Sequence, residues 1–444
     1  MSSMHLKQDI LPADPAPTIL DAPSLSTLRP PSDFSADYIR STHVFDGAWP
    51  RDTPYIPVPI NANAPAERES KEAKKIRGRQ VMHELIDLKT RHEEGRLRCE
   101  TGREQRLWIC ANRYARKRAS GVGKGKTLIC THANGMHKAL FEPLLNRLFA
   151  RRNDIDEVWA LDCVQHGDSA LLNDAANFGS LFDWSDLARD VLCFLRHYLP
   201  REPCNTLPTV LERLPINEAR ARLAMGFTGR TLFALGHSFG GTALTLAVRA
   251  CPELFKALIL ADPVIFPKGV ESKVYDSLRA YIPGAVVRRN GWISREAAYT
   301  ALKSRQPFVD WPDEVLQLHI EHGLVETSDG GVRLKCTAFQ EAVVYIEHSS
   351  AHKAWVELPN IDERVAIHWI VPSAHQSIVR TEDLAGDRVR RRSTNSSHVV
   401  IQDATHLLVQ SHPLKVADKI HEFMEHLDNQ AQGPGADGAA RTKL

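Results

Sequence analysis

The sequence has no apolar run long enough to cross a bilayer, no CxxC pair among its eight cysteines, and 56 Lys and Arg against 54 Asp and Glu, a formal charge of only +2. Each shortage removes a class of function. A membrane-spanning helix needs about 20 consecutive apolar residues, so no transmembrane segment is expected. The opening stretch MSSMHLKQDILPADPAP lacks the charged-then-apolar order of a secretory leader, so the chain is expected on the inner side of the secretory membrane. The cysteines fall in apolar contexts such as LIC, ALDC and VLCF and read as small buried hydrophobes in a reducing compartment. A net charge near zero gives no global attraction to nucleic acid. Two local basic runs, Arg113 to Arg118 and Arg388 to Ser393, read as solvated loops, with a landing site for an anionic substrate handle as the sharper alternative. Internal repeats are absent, and 43% apolar residues exclude disorder of the whole chain.

One apparent motif loses its meaning on inspection. In ASGVGKGKTLICTHAN, Gly125-Lys126-Thr127 resembles the end of a phosphate-binding loop, but such a loop needs a glycine five residues before Gly125, where the chain has Ser120, and a helix after Thr127. The residues that follow are apolar and partly β-branched, as in a buried strand. The glycines therefore read as a turn that leads the chain into the strand and then to His132 and Asn134.

From residue 127 onward short apolar runs (TLICTH, VWALD, TLFALGHS, KALILADPVI) alternate with amphipathic helical stretches, the pattern of a mostly parallel sheet covered on both faces. Residues 267–361 interrupt it with helical stretches and little strand signal, after which VAIHWIVPS, HVVIQDATH and a last helix resume the core. An excursion at that point would lie over the C-terminal edge of the sheet, where ligands bind in open α/β folds, and reads as a lid. The expected divisions are an irregular arm over 1–40, a first core part over 41–266 with a charged, exposed helical insertion at 64–106, the lid, a second core part over 362–428, and a flexible tail over 429–444.

Gly236-His237-Ser238-Phe239-Gly240 stands directly after a strand and directly before a helix, the context that the G-x-S-x-G nucleophile elbow requires. A hydroxyl is a poor nucleophile at neutral pH, so Ser238 needs a base within reach and a carboxylate to orient it, in the chain order Ser, acid, His. His406, just past the last strand, has the best address. His412 competes but begins the final helix. For the acid, Asp262 at the end of ALILA and Asp383 in a later polar loop both remain open, with Asp262 favoured. An oxyanion hole would draw one N–H from Phe239 and one from the loop THANG, with Asn134 the expected donor and His132 a prop. This chemistry needs no metal or organic cofactor.

The stretches HANGMHKALFEPL, VWALDCVQHGDSALLND, FDWSDLARDVLCFL, LGHSFGGTALTLAV and ALILADPVI resemble the fungal toxin-biosynthesis branch of the α/β hydrolases, which includes peroxisomal matrix hydrolases and an acyl-CoA hydrolase of the mycophenolic acid pathway. The likeness is good over residues 105–266 and looser beyond. It implies the α/β-hydrolase fold, an acid after the strand that follows the nucleophile helix, and hydrolysis of an acyl thioester or ester of lipid or polyketide type. A lipase or carboxylesterase on neutral esters, or an inactive binding protein on the same fold, are the alternatives. It also implies a peroxisomal location. Thr442-Lys443-Leu444 approximates the import tripeptide Ser-Lys-Leu, so an import receptor is an expected partner beside the small-molecule substrate.

Overall fold

Strands that are apolar on both faces must be covered on both faces. The segments 128–130, 158–161, 232–235 and 257–261 are of this kind, and they form the middle of a nine-stranded sheet in the computed structural model of the protein. The structure describes residues 12–25, 27–59, 69–97, 105–117, 125–174, 178–204, 206–268, 279–379 and 382–432. Among these the strands are β1 (Ser32–Asp33), β2 (Tyr38–Asp46), β3 (Trp108–Arg116), β4 (Gly125–Thr131), β5 (Ile155–Leu161), β6 (Arg230–His237), β7 (Ala257–Ala261), β8 (Gly291–Trp292), β9 (Leu324–Glu326), β10 (Val332–Leu334), β11 (Ala366–Pro372) and β12 (Ser396–Ile401). The large sheet runs β1-β2-β3-β5-β4-β6-β7-β11-β12, and every pairing from β5 to β12 in that order is parallel, while β1 to β3 form an antiparallel edge.

The helices are α1 (Lys71–Glu93), α2 (Glu142–Arg151), α3 (Gly167–Leu172), α4 (Trp184–His197), α5 (Ile216–Met225), α6 (Phe239–Ala250), α7 (Tyr281–Val287), α8 (Arg295–Lys303), α9 (Asp313–Gly323), α10 (Ala338–Ile346), α11 (Ser349–Glu357), α12 (Glu382–Arg390), α13 (Leu408–Ser411) and α14 (Pro413–Gln432). On one face α4 packs on α6 over a core that includes Phe45, Trp159, Phe194 and Leu244; on the other α2 packs on α14 over Tyr114, Phe141, Leu144 and Ile420. Five of the described cysteines, Cys110, Cys130, Cys163, Cys193 and Cys336, are buried, and the described cysteines form no disulfide.

The structure departs from the sequence-based divisions in four places. The sheet begins inside the stretch expected as an irregular arm, because β1 and the start of β2 lie there and are held by Arg40, which donates to Pro30 O (2.9 Å) and Ser32 Oγ (2.6 Å), and by Tyr38, which donates to Ile155 O (2.6 Å). The charged insertion carries α1, which is not simply exposed. It packs on α7 and α10 and buries Val81 and Leu85, and Lys89 is buried as well because Glu347 (3.4 Å) and Glu93 (3.5 Å) compensate its charge. The excursion after β7 holds a small sheet of order β8-β10-β9 beside its helices. Finally, α14 continues to Gln432, past the expected start of the tail. The tripeptide Thr442-Lys443-Leu444 and residues 121–124 of the glycine-rich turn lie outside the described residues. Gly125-Lys126-Thr127 opens β4, and Lys126 pairs with Asp154 and, at 3.0 Å, with Asp428.

Candidate active site

Five loops leave the C-terminal ends of β4, β6, β7, β11 and β12 on the same edge of the sheet. The loop after β6 is the tightest. Ser238 has φ 58° and ψ −126°, a conformation that costs a non-glycine residue about 1–3 kcal/mol and that holds the side chain out at the strand-helix corner. The flanking glycines are required by contact. A Cβ on Gly236 would lie 2.4 Å from Gly241 Cα, and one on Gly240 would lie 2.6 Å from His132 O and 2.8 Å from Thr131 O. These neighbours are all backbone and cannot rotate away. Gly240→Ala is therefore expected to push α6 off β4 and lower the melting temperature by several degrees or abolish soluble expression, as thermal unfolding would show; an unchanged melting temperature would contradict the close approach.

The structure brings Ser238, His406 and Asp262 into one hydrogen-bonded line. His406 Nε2 is 3.0 Å from Ser238 Oγ, and His406 Nδ1 is 2.7 Å from Asp262 Oδ2. A carboxylate can only accept here, so Nδ1 carries the proton and Nε2 is free to accept the serine proton. His237, buried and pushed down to about 3 by burial and by the neighbouring His406, is neutral and donates from Nε2 to the His406 carbonyl at 2.9 Å, fixing the main chain of the loop. Of the other expected residues, Asp383 is exposed on α12 and makes no bond to His406. His412 lies between α13 and α14, bonded to Ser411 Oγ (2.9 Å) and paired with Asp403 (3.4 Å).

Asp262 is fully buried and both its oxygens are engaged. Besides His406, Oδ2 accepts the Ile378 N–H at 3.0 Å, while Oδ1 accepts the Ser377 hydroxyl at 2.8 Å and the guanidinium of Arg388. Burial alone would raise this carboxyl, but Arg388 and His406 outweigh it and hold Asp262 well below the ordinary carboxylate range. The loop after β11, which offers no acid close to its strand, thus supplies Ser377 and Ile378 to cradle an acid borne by the neighbouring strand. Sequence reasoning missed Arg388, reading its basic run as solvated loop. In the structure Arg388 is buried, Arg392 donates to Val365 O at 2.7 Å, and Arg391 lies over the Trp355 ring. The other run differs in the same way, because Arg113 is buried on β3 against Glu157 at 2.5 Å.

The loop after β4 is fixed from both sides. Cys163 N–H donates to His132 Nε2 (3.0 Å), so the His132 proton sits on Nδ1 and goes to Ala133 O (2.8 Å). Gly135 N–H donates to His166 Nε2 (3.0 Å), and Asn134 Nδ2 donates to Glu341 O of α10 (3.0 Å). Next to it Lys138 bonds Asp162 (2.6 Å) and Asp168 (2.5 Å), and Lys335 of the excursion bonds the other oxygen of Asp168 (2.6 Å), a buried cluster that ties excursion to core. The main-chain N–H groups of Phe239 and Asn134 donate no hydrogen bond within the described residues, and both residues line the cavity that Ser238 and His406 enter. That cavity holds about 640 Å³. Its far wall comes from the excursion, through residues such as Leu302, Phe308 and Val344.

A sequence model of the alpha/beta hydrolase family matches residues 128–419, more than half of the chain. The chain belongs to the alpha/beta hydrolase family. Among curated relatives, a type I acyl-CoA thioesterase (mpaH′) of Penicillium brevicompactum is 28% identical over 201 residues, 45% of this chain and 40% of that protein. The match therefore spans well under half the length of that relative. The peroxisomal membrane protein LPX1 of Saccharomyces cerevisiae is 23% identical over 73% of this chain and 83% of its own length. The crystal structure of the yeast peroxisomal alpha-beta-hydrolase Lpx1 superposes with a TM-score of 0.61 at 20% identity, covering 92% of this chain and 94% of that one, a likeness of fold.

Proposed function

We propose that the chain is a serine hydrolase that cleaves acyl thioesters or esters, with Ser238 as nucleophile, His406 as general base and acid, and Asp262 as the orienting carboxylate. The observation that carries the reading is the unbroken line Asp262–His406–Ser238 opening into a cavity. Ser238 Oγ attacks the acyl carbonyl carbon while its proton passes to His406 Nε2, and the carbonyl electron pair moves onto oxygen. The Phe239 and Asn134 N–H groups, free of other partners, are placed to receive that oxyanion. Collapse expels the thiol or alcohol, which takes the proton from His406. Water then repeats the sequence on the acyl-serine and releases the acid. Asp262 stays ionised throughout, held so by Arg388, and stabilises the transient imidazolium.

The excursion acts as the lid of this site, and its apolar side chains would cover an acyl group of lipid or polyketide type. The relative described as an acyl-CoA thioesterase supports the thioester form of the substrate. The peroxisomal relative supports a peroxisomal location. A fluorophosphonate probe is expected to label the protein, peptide mass spectrometry is expected to place the adduct on Ser238, and a matched thioester and ester pair is expected to be hydrolysed. Absence of labelling together with no turnover of either substrate would overturn the reading.

A further inference from the structure

The charged residues that line the cavity are unbalanced. Arg288, Arg289 and Arg305 face a single carboxylate, Glu341. Arg288 spends one edge of its guanidinium on Glu341 and donates to Cys336 O at 3.3 Å, yet its Nε is buried without a partner. Arg289 is exposed, with Nε on Gly291 O (2.8 Å) and its guanidinium 5.6 Å from the centre of the Trp292 ring. Arg305 is exposed as well, and among the described residues neither Arg289 nor Arg305 forms an ion pair. Both are at once exposed and lining, which puts them at the cavity's opening, while Arg288 lies further in. The Nε1 of Trp292, also on the wall, is buried without a partner. A cavity for a wholly neutral ester gains nothing from three cations. In a cleft with low-dielectric walls such a set raises the local concentration of anions and offers charge-assisted, bidentate hydrogen bonds to a carboxylate or phosphate.

We infer that the substrate of this site carries an anionic oxygen group, bound at the cavity mouth by Arg289 and Arg305 and reached from inside by Arg288. This rests on the hydrolase reading and narrows it. It also moves the anion site away from the two basic runs, whose residues Arg113, Arg388 and Arg392 are committed to the core. The anion has two possible chemical sources, a distal carboxylate on the acyl half or phosphates on the thiol half, and both present the same oxygens to the same arginines.

The test uses the purified full-length protein and two matched substrate pairs. The first is the mono-p-nitrophenyl ester of a medium-chain dicarboxylic acid against the p-nitrophenyl ester of the chain-matched monoacid. The second is a medium-chain acyl-CoA against the same acyl group on N-acetylcysteamine. In at least one pair the anionic member is expected to exceed its neutral partner in kcat/KM by about tenfold or more at low salt, with the ratio falling towards parity as salt approaches roughly 0.5 M. The pair that shows the ratio names the source. In the Arg289→Gln/Arg305→Gln variant, two exposed positions where folding is not at risk, the ratio is expected to collapse through KM rather than kcat. Equal kcat/KM within both pairs, or a salt-independent ratio that survives in the double variant, would overturn the inference while leaving the hydrolase reading intact. Failure of all four substrates and of the serine probe would instead remove the hydrolase reading and this inference together.

Discussion

Ser238→Ala is expected to lower kcat on any ester or thioester substrate by roughly 10⁴- to 10⁶-fold, the range found when the nucleophile of a serine triad is removed. The size follows from what the hydroxyl does. Without Oγ no acyl-enzyme can form, and what remains is the effect of binding and of the oxyanion donors on direct attack by water. The substitution should cost little stability, because it removes one hydrogen bond to His406 from a corner whose shape is set by Gly236, Gly240 and the main chain. The melting temperature should stay within a few degrees, KM should change little, and the fluorophosphonate adduct should vanish. His406→Ala should also lose turnover and labelling, since a hydroxyl without its base is as unreactive as no hydroxyl. If Ser238→Ala retained more than about one per cent of wild-type kcat, another nucleophile would be at work and the role given to the elbow would be wrong.

The residues proposed as nucleophile and base stood out in the sequence for different reasons. Ser238 is marked by a local requirement, since a corner this tight needs glycine at 236 and 240 and the motif spells that out in five consecutive residues. His406 is marked by position, after the last strand and before the last helix. The proposed acid was less legible because its identity depends on which of two neighbouring strand ends turns towards the imidazole, a tertiary fact. Asp262 and Asp383 fit the chain order equally, and only the fold puts one beside His406 and the other in solvent. Arg388 was not legible at all. A run such as RVRRRS looks solvated unless each charge has a partner, and Arg388 stands on α12 while its partner Asp262 lies just past the end of β7, far away in sequence. The burial of Lys89 escaped for the same reason, its compensating Glu347 being remote in the chain. In the excursion, β8, β9 and β10 are two or three residues long, too short for an alternating pattern to register.

The second large effect is expected at Arg388, and it separates stability from chemistry. The side chains of Arg388 and Asp262 are both fully buried, so Arg388→Met would leave a carboxylate in the interior with its main compensating charge gone. Breaking a buried pair in this way costs about 3–5 kcal/mol. The sign of the pH dependence distinguishes this cause from simple loss of packing. In the wild type the folded-state pKa of Asp262 is depressed, so its contribution to stability is present above the unfolded carboxylate value and is lost only as pH falls through the lower folded value. In Arg388→Met burial acts with less opposition and the Asp262 pKa rises. The penalty is then largest at neutral pH and shrinks on acidification, so the gap in melting temperature between variant and wild type should narrow from pH 8 to about pH 5. Turnover should fall as well, with its acidic limb displaced upward, because a protonated Asp262 can no longer stabilise the imidazolium. Asp262→Asn combined with Arg388→Met removes both charges. It should recover part of the stability lost in Arg388→Met while kcat stays roughly 10³- to 10⁴-fold below wild type, since the amide cannot hold His406 in the same tautomer with the same charge. Thermal unfolding and pH-rate profiles on the two single variants and the double variant complete the cycle. A gap in melting temperature that did not change with pH would mean that Arg388 fills space and leaves the ionisation of Asp262 to the Ser377 hydroxyl and the Ile378 N–H.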